Sequence, residues 1–144
     1  MKNWLLILLI CFGIYSCKTS YKKTTTTSIE DNLKAQDTVR IANDELEYEI
    51  LIIEPGFNFW LESIAKPEGY YSQGFLESRN IIYVTEWNNR VFQPQRYDPN
   101  LYELQIDYSP SIDYGYEVNY KLYYYFIYFQ LHYKQQLTGF VPRI

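Results

Sequence analysis

Apolar residues alternate with polar ones in two stretches of this chain, residues 45–53 and residues 101–108. In each stretch every second residue is large and apolar, and most of the residues between them are charged or carry an amide. Period-two alternation is typical of a strand with one face buried and the other in water. We therefore predict a strand over each stretch, and the second is the clearer because its alternation is strict.

Two stretches between these strands repeat apolar residues at helical spacing. Residues 59–66 are predicted to form a short helix that Asn58 caps. A longer helix is predicted from a cap at Ser72 to about residue 92. Within it, residues 81–85 are rich in β-branched and aromatic side chains, so a strand there stays open as the alternative.

A third helix is predicted over residues 113–137, and it is rich in tyrosine and other aromatic residues. Its apolar surface is wider than one contact with a two-stranded sheet would cover. The helix therefore either lies centrally in the domain or places part of this surface against a partner.

The order β-α-α-β-α predicts a small single α+β domain whose short antiparallel sheet is packed by helices. A sheet of two strands alone is marginal in water. A further strand at residues 38–41, a strand at residues 81–85, or self-association would complete this sheet.

The N-terminus has the pattern of a bacterial lipoprotein signal peptide. One lysine precedes an apolar run over residues 4–14, which is shorter than the ~20 residues that cross a bilayer. The run ends in Ile14-Tyr15-Ser16-Cys17, which resembles a lipobox with a small residue just before the cysteine. We predict cleavage after residue 16 and acylation of Cys17.

These patterns divide the chain into three parts. Residues 1–16 form the signal peptide, residues 17–43 the lipidated cysteine and a flexible tether, and residues 44–140 the globular domain. The two cysteines are Cys11, which leaves with the signal peptide, and Cys17, which carries the lipid. The mature domain then has no thiol, which excludes a disulfide framework and a cysteine-ligated metal site.

Charge differs between the tether and the domain. Residues 18–43 carry five basic and three acidic side chains, a net of +2, whereas residues 44–144 carry seven basic and fourteen acidic ones, a net of −7. An acidic domain disfavours nucleic acid as a partner. The basic residues that follow Cys17 either lie against lipid head groups or belong to a polar spacer.

The densest mixture of polar and aromatic residues lies within residues 85–97. One interpretation places these side chains around a pocket with Trp87 as a stacking surface. The other places Trp87 in the core and pairs Glu86 with Arg90 one helical turn away. Tyrosines of the last predicted helix could likewise bind glycan or peptide, or belong to the core. The candidate ligand or interaction surface comprises Glu86, Trp87, Asn89, Arg90, Arg96, Tyr114 and Tyr116.

The sequence shows no catalytic constellation. His132 is the only histidine, and no acid and nucleophile stand at a spacing that would pair with it. Asp107, Asp113 and Glu117 are close in sequence but match no metal-ligand pattern. A glycine-rich phosphate loop, a nucleophile elbow and an H-E-x-x-H motif are also missing. We therefore expect no catalytic residue, metal or cofactor.

Four motifs resemble a family of small uncharacterised flavobacterial lipoproteins that share a domain of unknown function. They are YVTEWNNR at residues 83–90, QPQRY at 93–97, NLYE at 100–103 and IDYGYEVNY at 112–120. The resemblance covers most of residues 38–137 and implies a lipoprotein of the Bacteroidota envelope. It implies no catalytic residue, substrate or partner.

The expected function is that of a lipid-anchored envelope protein that serves as a binding or assembly module, with an envelope protein or a glycan as partner. The alternative is an envelope enzyme that acts on glycan or cell-wall material through a carboxylate such as Glu86. A third hypothesis is a soluble cytoplasmic domain whose N-terminus only resembles a signal peptide. Because no acidic run follows Cys17, we expect the anchored protein to face the periplasm from the outer membrane.

Overall fold

The computed structural model describes residues 38–142 and residue 144. The predicted signal peptide, the predicted acylation site Cys17 and the tether up to residue 37 lie outside the described residues. The predicted class, a small α+β domain with a short antiparallel sheet and packed helices, is confirmed, but the element order is β-β-α-α-α. In chain order the elements are β1 (Thr38–Asn43), β2 (Tyr48–Ile53), α1 (Phe57–Ser63), α2 (Gln73–Val91) and α3 (Gly115–His132).

β1 and β2 form an antiparallel hairpin around a tight turn. Asn43 organises the turn, because its side-chain oxygen accepts hydrogen bonds from the N–H groups of Glu45 and Leu46 at 3.0 and 3.2 Å. Glu47 then adopts a left-handed conformation with φ of 51°, from which the chain enters β2. The Asn43 amide also donates to the carbonyl of Tyr114 at 3.0 Å and so joins the hairpin to the start of α3.

The two strands are not the two that the alternation predicts. β1 consists of the last six residues of the predicted tether, so the alternative of a further strand at residues 38–41 is confirmed. β2 matches the first predicted strand but begins at Tyr48, because residues 44–46 form a 3-10 turn. The second predicted strand, residues 101–108, is wrong, since this segment is irregular and joins no sheet.

Side chains of α2 form hydrogen bonds with backbone groups of residues 101–108. These backbone groups are therefore not available to pair with a neighbouring strand. The Trp87 indole N–H donates to the carbonyl of Leu104 at 2.9 Å. The Asn88 side chain donates to the carbonyl of Ile106 and accepts from its N–H, each at 2.8 Å. Ile106 is buried as the alternation predicts, whereas Leu104 is 77% exposed. Side-chain bonds from a neighbouring helix thus replace strand pairing.

α1 begins two residues earlier than predicted. Its N-cap is Gly56, with φ of 84°, and not Asn58. A positive φ is readily adopted by glycine, which explains this early start. The Asn58 side chain instead donates to the carbonyl of Thr38 at 3.2 Å and joins α1 to β1.

α2 begins and ends as predicted. Ser72 is its N-cap, and the Ser72 hydroxyl accepts from the N–H of Phe75 at 3.3 Å. Residues 81–85 are helical, so the alternative strand is wrong. Tyr83 within this stretch is buried, with its ring 5.4 Å from that of Phe126 on α3. Packing of this kind overrides the local β propensity.

α3 ends at His132, before the predicted end at residue 137. Lys134 adopts a left-handed conformation with φ of 52°, and the N–H of Gln135 donates to the carbonyl of Gln130 at 3.0 Å. This is a Schellman closure with lysine at the position that glycine usually holds. The sequence therefore carries no sign of it.

α3 lies at the centre of the domain. Twelve of its eighteen residues are buried, and it contacts β1, α1 and α2. Two of its tyrosines satisfy their hydroxyls at the edge of the core: Tyr120 donates to the carbonyl of Lys66 and Tyr128 to that of Pro55, both at 2.9 Å. The buried Tyr124 hydroxyl has no hydrogen-bond partner among the described residues. The central position explains the wide aromatic surface, and tyrosine suits it because its tip can reach a backbone carbonyl.

Among the described residues, no helix is both long enough and apolar enough to cross a membrane.

Candidate functional site

A groove with a volume of about 740 Å³ lies between β2 and the irregular residues 100–107. Its floor is aromatic and comes from two helices: Trp87 projects from α2, and Tyr125 and Phe129 project from α3. A volume of this size is typical of ligand-binding clefts. We name this feature the β2 groove.

One wall of the β2 groove is the edge of β2 that faces away from β1. All six residues of β2 line the groove, and no residue of β1 does. The described sheet contains only these two strands, so this edge of β2 has no strand beside it. Alternate residues of such an edge turn their N–H and C=O groups away from the paired strand. The wall therefore offers backbone donors and acceptors to whatever lies in the groove.

The opposite wall is the irregular segment 100–107. Its carbonyl at Leu104 and both backbone groups of Ile106 are bonded to α2. The side chains of Glu103, Gln105 and Asp107 are exposed. Across the described part of the chain, the backbone groups of Glu103 and Gln105 have no hydrogen-bond partner. This wall is therefore partly bonded to α2, and only Glu103 and Gln105 keep unpaired backbone groups beside the groove.

Glu54, directly after β2, places a buried carboxylate at the end of the groove. It is only 5% exposed, and the Tyr133 hydroxyl donates to its two oxygens at 3.1 and 3.3 Å. Burial raises the pKa of the Glu54 carboxyl, while the Tyr133 hydrogen bond and the charge of His132 lower it in part. Burial and the nearby Glu54 charge also raise the pKa of Tyr133 to about 12.

Among the described residues, the charges that line the β2 groove are all acidic. They belong to Glu49, Glu54, Glu103 and Asp107, and no described lysine or arginine lines the groove. Glu49 is paired with Arg40 on the outer face of the hairpin. The side chains of Glu103 and Asp107 have no ion-pair partner within the described residues. The groove is therefore a site of negative potential.

Arg90 and Glu86, two residues of the predicted surface, form a structural ion pair. Arg90 Nε lies 2.7 Å from Glu86 Oε1, and Arg90 is only 8% exposed. The guanidinium also donates to the Tyr102 hydroxyl at 2.8 Å and to the carbonyl of Gln136 at 2.6 Å. The contacts with Tyr102 and Gln136 hold the end of α2 to the segments that follow α2 and α3.

The other residues of the predicted surface do not gather around one pocket. Trp87 is the only member of the predicted set that lines the β2 groove, and it is 5% exposed. Asn89 and Arg96 are exposed, and the Arg96 guanidinium lies 5.3 Å from the centre of the Tyr97 ring. The structure thus places Trp87 in the core and at the groove floor at once.

Tyr114 and Tyr116 hold loops in place. Tyr114 is 3% exposed, and its hydroxyl accepts from the N–H of Ser109 at 2.9 Å. Tyr116 is half-buried; its hydroxyl accepts from the N–H of Gly69 at 2.6 Å and donates to the carbonyl of Tyr71 at 3.3 Å. Neither residue lines the β2 groove.

Sequence reasoning missed the groove residue Glu54, and it did not single out Tyr125 and Tyr133 among the tyrosines that could bind glycan or peptide. One signal for Glu54 was present, since it is a carboxylate between a strand end that is apolar on both faces and the turn at Pro55. Such a position places a charge at the boundary of the core. The two tyrosines had no distinguishing signal among the many aromatic residues of α3 and its end.

Within the described residues, no group of three or more histidine, cysteine, aspartate or glutamate side chains is arranged to hold a metal ion. His132 is exposed, and its ring lies 5.1 Å from that of Tyr128 in a stacked arrangement.

The fold and the groove define a small α+β domain with an aromatic core and an acidic, open cleft beside an unpaired strand edge. The chain belongs to a family of unknown function, DUF6146, whose sequence model matches residues 5–142. Neither a curated protein nor a solved structure matches the chain.

Proposed function

We propose that this protein is a lipid-anchored cell-envelope protein of flavobacterial type that works as a binding or assembly module. The β2 groove is the observation that carries the binding part of this proposal, because it joins an aromatic floor to the unpaired edge of β2. A partner in it would bury apolar surface and bond the backbone groups of this edge. The partner is an envelope protein or a glycan.

Photocrosslinking tests the groove as the binding surface. A photoreactive residue replaces Leu104 at the rim of the groove, and a matched control replaces Phe59 on α1; these side chains are 77% and 75% exposed. We expect a discrete crosslinked adduct in irradiated cells from position 104 and none from position 59. Equal adducts from both positions, or none from either, would contradict the proposal.

The anchor part of the proposal rests on the lipobox-like residues 14–17. An acylated Cys17 would anchor the chain stably if more than one acyl chain is attached. Cells labelled with a palmitate analogue should incorporate it into the wild type and not into Cys17→Ser. Equal incorporation would overturn the anchor and favour the soluble alternative.

The orientation part of the proposal rests on the residues after Cys17, which are basic and lack an acidic run. We propose that the domain faces the periplasm from the outer membrane. Protease added to intact cells should leave the domain uncut, while protease added to permeabilised cells should degrade it. Removal of the domain from intact cells would contradict this orientation.

Glu54 favours a second candidate function, an envelope enzyme that acts on glycan or cell-wall material. A carboxylate that is buried in a cleft and has a raised pKa is the usual form of a general acid. Glu86, the carboxylate first considered for this role, is paired with Arg90 instead. Purified wild-type protein and Glu54→Gln should be compared on peptidoglycan. Product release by the wild type alone would favour the enzyme over the binding module.

A further inference from the structure

We infer that the β2 groove takes an extended peptide with alternating apolar and basic residues, which pairs with β2 as an added strand. The inference rests on the proposed binding function and names the chemistry of its partner. Three independent properties of the groove lead to it: the unpaired backbone, the aromatic floor and the acidic lining.

The backbone of the groove favours an extended peptide over a helix or a compact ligand. β2 has six residues, so its edge is about 20 Å long. Its outward N–H and C=O groups are spaced to bond a strand laid beside them. The unpaired backbone of Glu103 and Gln105 stands on the other side of the groove. A strand in the groove would therefore pair with β2 along one edge, with Glu103 and Gln105 beside its other edge.

The aromatic floor of the groove favours apolar side chains at every second position of this peptide, because those side chains would contact it. Ile50 and Ile52 of β2 point toward the helices but are only half-buried, and they line the groove beside Tyr125 and Phe129. Every second side chain of an added strand would point in the same direction as Ile50 and Ile52. These side chains would pack on the floor and complete the burial of Ile50 and Ile52.

The negative charge of the groove favours basic residues at the other positions of the peptide. Side chains that point away from the floor would lie beside the wall that carries Glu103 and Asp107, neither of which has an ion-pair partner within the described residues. Basic residues there would meet opposite charges, and acidic ones would be repelled. A second copy of this chain fits less well, because the exposed face of its own β2 carries Glu49 as well as Leu51 and Ile53.

Synthetic peptides of defined sequence test the inference on the full chain purified in detergent. The probe is a fluorescent octapeptide of alternating lysine and valine. One control peptide replaces each lysine by glutamate, and another methylates alternate backbone nitrogens. By fluorescence anisotropy, we expect the lysine peptide to bind about tenfold more tightly than either control. Equal binding of all three would overturn the inference.

Protein variants separate groove binding from general attraction to an acidic surface. Glu103→Lys combined with Asp107→Lys should weaken binding of the lysine peptide by about tenfold. Glu62→Lys is the charge-matched control for one substitution; Glu62 is exposed on α1 and does not line the groove. It should change the affinity by about twofold at most. An equal loss from Glu62→Lys would contradict the assignment to the groove.

Hydrogen exchange tests the strand pairing itself. Binding of the lysine peptide should slow amide exchange in β2 and at residues 103–107. Binding without this protection would overturn the added strand but leave the proposed binding function intact, provided that the position 104 crosslink still forms. Slow amide exchange in β2 of a dimer, without any peptide, would show that a second copy of the chain occupies the β2 groove. This result would also contradict the inference.

Discussion

β1 and β2 have equal length and are paired residue by residue, but their inner faces lie in different surroundings. Ile41 of β1 is 0% exposed and Val39 is 1% exposed, whereas their partners Ile50 and Ile52 of β2 are only half-buried. The difference arises because α3 packs against β1. One strand thus belongs to the core, and the other lines the β2 groove. The same hairpin has a strand that is buried on its inner face and a strand that is open to the groove.

The largest expected effect comes from truncating the paired residues Ile41 and Ile50. Ile41→Ala leaves a cavity in the closed core and should lower the free energy of unfolding by about 3 kcal/mol. Ile50→Ala removes a side chain that already faces the groove and should lower it by about 1.5 kcal/mol. Urea denaturation of both variants measures the difference. Equal losses would contradict the contrast between the two strands.

Asn88 and Asn89 test what holds the far wall of the groove. Asn88→Ala removes both hydrogen bonds to Ile106 and should cost about 2 kcal/mol. It should also speed hydrogen exchange at Ile106. The neighbouring Asn89 is exposed, so Asn89→Ala should change stability by less than about 0.5 kcal/mol. If both variants behave alike, the Asn88 bonds do not determine the shape of this wall.

A smaller, pH-dependent effect is expected at Glu54. Because burial raises its pKa in the folded state, the folded protein holds this proton more tightly than the unfolded chain does. The contribution of Glu54 to stability is therefore greatest at low pH and declines as the pH rises from the ordinary glutamate pKa through the raised one. Glu54→Gln lacks this titration.

Urea denaturation of the wild type and Glu54→Gln from pH 4 to pH 8 measures the Glu54 effect. The free energy of unfolding of the wild type should fall relative to that of the variant as the pH rises, and the other carboxylates cancel in the difference. A difference that does not change with pH would show that Glu54 titrates as an ordinary glutamate.

The sequence predicted the helices better than the strands, and the reason is the range of the interactions involved. The spacing of apolar residues and the Ser72 cap are local signals, and they identified α2 correctly. The alternation at residues 101–108 is equally regular, but its backbone is bonded to Trp87 and Asn88, about 17 residues earlier. A pattern within eight residues carries no information about such a partner.

The candidate site was harder to predict than the fold. The Glu86–Arg90 pair follows from helical spacing and is present, but it serves packing. The β2 groove lies where, among the described residues, no strand pairs with the second edge of β2 and α3 packs against β1 instead. Among the residues of the predicted surface, Trp87 alone reaches it. No local pattern could have separated Tyr125 and Tyr133 from the other aromatic residues.

The smallest expected effect comes from the outer face of β2. Ile53 is 80% exposed, so Ile53→Thr should change the free energy of unfolding by less than about 0.5 kcal/mol, since threonine keeps the β-branched shape that suits a strand. Ile52→Thr, which places a hydroxyl on the half-buried inner face, should cost about 1 kcal/mol. Thermal and urea denaturation of both variants in the full chain measures this contrast. Equal costs would mean that the outer face of β2 is covered as much as its inner face. The contrast between the two faces of β2 would then be wrong.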